Sequence, residues 1–101
     1  MKKIWLDDVR PAPKEWVWIR TAEDCLLYLE LWWDDISEIS LDHDLGENIK
    51  TGYDVAKFIE EQVIVNGKRL PIVRIHSANP VGRKNMEAAL ISATRAVSWK
   101  Q

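Results

Sequence analysis

Three short β-prone runs each stop at acidic or imidazole side chains: Ile4–Asp8 (IWLDD), Ile39–Asp44 (ISLDHD) and Ile72–Ser77 (IVRIHS). Between them lie stretches with apolar residues at helical spacing, so strands alternate with helices. That alternation predicts an α/β fold whose parallel sheet is joined by right-handed crossovers and covered on both faces. The strand ends of a parallel sheet share one edge. Residues far apart in the chain would therefore meet there, in a pocket suited to a metal ion or a phosphate.

Taken in order, Lys3–Leu6 is the first strand, and Arg10-Pro11-Ala12-Pro13 forbids a helix in the loop that leaves it. Trp16–Ile19 is a second, short strand. Thr21 with Asp24 reads as a capping box that starts a helix, with Ala22, Leu26, Leu29 and Trp33 on one face and Asp34-Asp35 at its end. Ile36–Leu41 is the third strand, followed by Asp42-His43-Asp44 and a polar loop through Gly46 and Lys50. A second capping box, Thr51 to Asp54, opens a helix carrying Val55, Ile59 and Val63, with Gly67 beyond its end. Pro71–Ile75 is the fourth strand. Asn79-Pro80 has the order of a helix start, and Met86, Ala89, Leu90, Ala93 and Val97 continue at helical spacing. The link between the first two strands is too short and proline-rich to carry a helix of its own.

The 101 residues form a single domain, 1–101, with no internal repeat or linker. Fourteen basic against sixteen acidic side chains leave a net charge of −2, which argues against loose electrostatic binding along a nucleic-acid backbone. A small anionic ligand in a local pocket stays compatible with it. No apolar run approaches the ~18 residues of a membrane span, and no signal peptide opens the chain. Cys25, alone among leucines, reads as a small buried hydrophobe and fits a reducing cytoplasm.

Asp7-Asp8, the ISLD stretch and Ser77-Ala78 resemble the acidic pair, the third strand and the Ser/Thr-Ala step of a response-regulator receiver domain. A first helix, a fifth strand and the lysine that follows it have no counterpart. The receiver's proline loop is replaced by His43-Asp44-Leu45-Gly46, so either Asp42 or Asp44 matches the acceptor aspartate. The segments LDDVRPAP, ISLDHDLG, TGYDV and IHSANPVGRKNM, four motifs in order, resemble more closely the cyclic-phosphate-processing receiver-like family. The resemblance implies a reduced receiver (flavodoxin-like) fold of three layers, with a four-stranded parallel sheet of order 2-1-3-4 and about three helices. It also implies action on cyclic phosphates, in RNA-end processing or nucleotide signalling, in place of phosphotransfer.

With that strand order a crevice opens where the winding reverses, at the ends of strands one and three, bordered by Asp7, Asp8, Asp42 and Asp44. Crowded carboxylates repel one another, and a divalent cation, Mg²⁺ or Mn²⁺ in its place, is the usual relief. The competing expectation is that some of these aspartates cap turns or pair with Arg10. His43 and His76, at the ends of adjacent strands, could serve as an acid–base pair across a phosphodiester, with Asp42 as the third catalytic candidate. Alternatively one of them, His43 beside two carboxylates, is a hydrogen-bonding residue or a metal ligand. Arg10, Ser77, Asn79 and Arg83 could hold the phosphate, the last three around a helix N-terminus. Of six tryptophans, Trp5 in the central strand should be core, and Trp32, Trp33 and Trp99 fit helix packing or a homodimer interface. Only Trp16 and Trp18 lie where a base could stack.

Acting through these residues, the chemistry that the resemblance implies is that of a phosphoesterase opening a 2′,3′-cyclic phosphate RNA end or a cyclic nucleotide signal. Two other functions use the same crevice: a non-catalytic protein that sequesters a cyclic nucleotide, and a degenerate receiver serving as an interaction module.

Overall fold

The computed structural model describes residues 1–46 and 49–99; the side chain of Trp99 and part of the loop between Gly46 and Lys50 lie outside the described residues. Strands β1 (Lys2–Leu6), β2 (Val17–Ile19), β3 (Ile36–Leu41) and β4 (Ile72–Ile75) form one parallel sheet of order β2-β1-β3-β4. Three helices follow the last three strands: α1 (Ala22–Trp32), α2 (Gly52–Ile64) and α3 (Pro80–Trp99). A 3₁₀ turn over Trp33–Asp35 joins α1 to β3. Thr51 and Asp54 form the reciprocal capping box of α2. At α1 only half the motif exists, with the Thr21 hydroxyl accepting from the Asp24 N–H at 3.1 Å.

The layer count corrects the expectation. The crossovers β2–α1–β3 and β3–α2–β4 advance the same way across the sheet, so right-handedness puts α1 and α2 on one face. Helix α3 packs chiefly against α2 and joins them there. The return from β1 to β2 runs the other way and belongs to the opposite face, but its proline-rich segment carries no helix. The molecule therefore has two layers, not three.

Strand alternation records this asymmetry. Ile4, Leu6, Ile39 and Leu41 are fully buried beneath the helices, with Leu29, Val55, Ile59 and Met86 facing them. The intervening Lys3 and Arg74 are exposed, and Trp5 and Glu38 are half-buried. Trp5 is thus a residue of the helix-free face, not of the main core. Trp16 meets Trp5 edge-on at 6.1 Å, and Trp5 Nε1 donates to the Arg10 carbonyl at 3.0 Å. Trp18, its register partner on β2, donates from Nε1 to the Asp7 carbonyl at 2.8 Å. Indoles and the β1–β2 loop cover the part of this face nearest the strand ends.

Among the remaining tryptophans, Trp33 is buried, whereas Trp32 is half exposed beside the exposed Leu27 and Leu31 of α1. Cys25 is fully buried, and burial pushes its thiol pKa up to about 12, as a core residue requires.

Candidate active site at the strand ends

Asp7, Asp42 and His76 follow directly on β1, β3 and β4, the three adjacent strands. One ligand-capable atom from each lies within 4.8 Å of the other two. Asp7 and Asp42 are 1 % and 8 % exposed, so two carboxylates share a nearly dry space.

Their environments are unequal. Asp7 Oδ1 accepts backbone N–H groups from Val9 at 2.9 Å and Arg10 at 2.8 Å, which starts the loop. Its Oδ2 accepts from His76 Nε2 at 3.1 Å and pairs with Arg10 Nε at 3.2 Å. Burial alone would raise the Asp7 pKa, but these donors together hold it below the usual carboxylate value. Asp42 receives only the N–H of His43, at 2.9 Å on Oδ1, among the described residues. Burial, reinforced by the charge of Asp7, pushes its pKa up. Asp7 holds the donors and Asp42 bears the repulsion.

His76 is pinned on every side. Its Nδ1 lies 2.7 Å from Ser40 Oγ, its Nε2 faces Asp7, and its ring stacks on Trp5 at 3.9 Å and 4° from parallel. Burial lowers its pKa against the opposing pull of Asp7 and Asp42, so the imidazole is neutral near pH 7.

His43 stands differently. Its Nδ1 bonds Asp44 Oδ1 at 2.8 Å, its side chain is 18 % exposed, and its Nε2 has no hydrogen-bond partner among the described residues. That hydrogen bond, ahead of a further one from Asn79, lowers the Asp44 pKa. The ring rests on Gly82 of α3, where a β-carbon would collide with it. Gly52 is constrained likewise: it donates to the His43 carbonyl at 3.0 Å, and a β-carbon there would strike the Asp42 carbonyl.

The carboxylate cluster is therefore narrower than expected, and it includes an imidazole. Asp7 and Asp42 converge, with His76 as the third member; Asp8 and Asp44 lie outside this group. Asp8 uses its carbonyl to accept from Arg20 Nη2 at 2.9 Å, and Asp44 is largely exposed beside His43. Asp42, which directly follows β3, occupies the strand-end position for which Asp44 competed.

The residues expected around a phosphate serve the protein's own backbone here. Ser77 Oγ accepts from the Asn79 N–H at 3.1 Å; Asn79 Oδ1 accepts from the Gly82 N–H at 2.9 Å, and its Nδ2 donates to Asp44 at 3.2 Å. Arg83 sits at the outer edge of β4, donating to the Ile75 carbonyl at 3.1 Å and pairing with Glu87 at 2.9 Å. No hydrogen bond joins Arg83 to Asp7, Asp42 or His76 among the described residues. Arg10 alone of the four touches the cluster, through Asp7 and through the His76 carbonyl at 3.2 Å.

Ser40, Trp5 and Gly82 are the site residues that sequence reasoning missed. Ser40 lies within the third strand, away from the acidic and imidazole groups at its end. Its register with Trp5, one residue before Asp42, was the available signal.

The family described as cyclic-phosphate processing receiver domain matches residues 2–92. No curated protein and no solved structure matches the chain.

Proposed function

The chain belongs to the cyclic-phosphate processing receiver family, and from that premise we propose that it is a phosphoesterase opening a 2′,3′-cyclic phosphate RNA end or a cyclic nucleotide. The observation that supports this most is the convergence of Asp7, Asp42 and His76 at three neighbouring strand ends, where burial and the charge of Asp7 push the Asp42 pKa up.

The two carboxylates fit a divalent cation, Mg²⁺ or Mn²⁺. Asp42 offers an oxygen without a hydrogen-bond partner among the described residues, and Arg10, whose side chain is 55 % exposed, can swing off Asp7. A bound ion would neutralise the carboxylates and the phosphate charge that develops during attack. Acid–base work falls to His43. Asp44 orients its ring through Nδ1, so in the neutral form the Nε2 lone pair can take a proton from water as that water attacks phosphorus. The same nitrogen then returns the proton to the departing ribose oxygen as the P–O ester bond breaks, leaving a phosphomonoester. Arg10, released from Asp7, can hold the phosphate. His76 holds Asp7 in the metal-free site and does not form the second half of an acid–base pair.

Sequestration without turnover is the second reading, and one observation favours it: both nitrogens of His76 are occupied, leaving one imidazole free. The deciding experiment incubates the chain with cyclic nucleotides and with RNA ending in a cyclic phosphate, with and without Mg²⁺ or Mn²⁺. Product and binding are followed together. The esterase reading expects a phosphomonoester product and a drop of ~10²–10⁴-fold in His43→Ala. Tight binding with intact ligand recovered supports sequestration, and neither product nor binding leaves an interaction module.

A further inference from the structure

All oxygens of the Asp7 carboxylate act as acceptors: Oδ1 from two backbone N–H groups, Oδ2 from the Arg10 guanidinium. His76 Nε2, facing Oδ2, must therefore be the protonated nitrogen, and Nδ1 of the neutral ring is an acceptor. Ser40 Oγ, 2.7 Å away, then donates to it. In this tautomer His76 cannot ligate a cation, because Nε2 has no lone pair to give.

We propose that Ser40 is a positioning residue, a two-way hydrogen-bonding partner whose hydroxyl turns from donor to acceptor so that His76 Nε2 can join Asp7 and Asp42 around a divalent cation. This rests on the reading of the crevice as a cation site. A hydroxyl is both donor and acceptor, which suits the exchange. On loading, the Nε2–H bond breaks and an Nδ1–H bond forms through exchange with water, with no net proton gained or lost. Nδ1–H then donates to Ser40 Oγ, as a metal-bound imidazole requires of its second nitrogen. Ser40 is 3 % exposed, so bulk water does not readily replace it. The Trp5 stack keeps the ring plane fixed while the proton changes sides. An imidazole added to two carboxylates also admits a borderline cation, Zn²⁺, beside Mn²⁺.

The test uses protein labelled with ¹⁵N at its two histidines, His43→Ala assigning the signals. Without metal, His76 should show a protonated Nε2 and a bare Nδ1; on saturation with diamagnetic Zn²⁺ the two should exchange character. Ser40→Ala should weaken Zn²⁺ binding ~10–100-fold, and Ser40→Thr, which keeps the hydroxyl, should restore it in part. If Ser40→Ala does not fold, the wild-type spectra decide alone. Zn²⁺ binding in the crevice with His76 still protonated on Nε2 would overturn this inference and leave the cation site standing. A metal-free ring already protonated on Nδ1 would overturn it too, and no crevice binding at all would remove both.

Discussion

The indole of Trp5 lies flat on the imidazole of His76, with centroids 3.9 Å apart and planes 4° from parallel. The contact passes over β3, the strand between their own, and closes the helix-free face above Ser40. Where a receiver-like fold would carry a further helix, this chain uses an aromatic lid whose innermost ring also aligns a site residue.

Replacing that ring should therefore affect the fold and the site together. Trp5→Leu removes the stack, the edge contact with Trp16 and the hydrogen bond to the Arg10 carbonyl. A loss of about 1–3 kcal/mol is expected, measurable by urea denaturation. The His76 ring signals should broaden in the same variant. Unchanged His76 signals would show that Ser40 and Asp7 suffice to hold the ring.

Asp42→Asn should raise stability while it weakens divalent-ion binding. Burial and the neighbouring Asp7 charge disfavour the Asp42 carboxylate, so its folded pKa lies above its unfolded one and its ionised form opposes folding at pH 7. The thermal midpoint should rise, by ~4–8 °C for each kcal/mol relieved in a domain of this size. Ion binding should fall roughly tenfold or more, since a liganding oxygen becomes an amide. A lower midpoint would contradict the assignment of the repulsion to Asp42.

The pH dependence has a definite sign. His76 is partly buried and neutral, with a folded pKa below 6.5, so the unfolded chain binds its proton more readily. Its contribution is full above pH 6.5 and is lost as pH falls through that value toward the folded pKa. Asp42 acts oppositely at lower pH, where its protonation on folding adds stability down to its unfolded value of 3.8. Urea midpoints should decline from pH 7.5 to 5.5, and His76→Gln should flatten that decline.

Gly52→Ala tests the close approach beneath the Asp42–His43 turn. In an open helix the change would gain about 1 kcal/mol of propensity. Here the added carbon meets the Asp42 carbonyl, a backbone atom that cannot rotate away. Overpacking should prevail, with a net loss of about 1–3 kcal/mol and a lower thermal midpoint. A stabilised variant would show that the turn shifts freely.

The elements and their order were legible because local patterns set them. Capping at Thr21 and Thr51, the prolines after Asp8 and the apolar spacing of the helices all act within a few residues. Asp7, Asp42 and His76 were legible as neighbours for a related reason: each directly follows a strand, and parallel strands share one edge. Which histidine is free and which is pinned was not legible. That depends on Ser40 and Trp5, which meet His76 only across the sheet. The contacts of Arg83 were not legible either, since nothing in its local sequence shows that the outer edge of β4 offers it the Ile75 carbonyl.

By itself the sequence determined the four strands, the three helices, their order and the acidic and imidazole groups at the strand ends. Those follow from periodicity, capping and turn chemistry, which are short-range. Only the tertiary structure decided that the helices share one face, that Asp7 takes the hydrogen bonds while Asp42 bears the repulsion, and that His76 is locked between Ser40 and Asp7. The first depends on which side of the sheet a connection crosses, and the others on bringing Asp7, Ser40 with Asp42, and His76 together from positions more than thirty residues apart, and neither leaves a periodic trace in the chain.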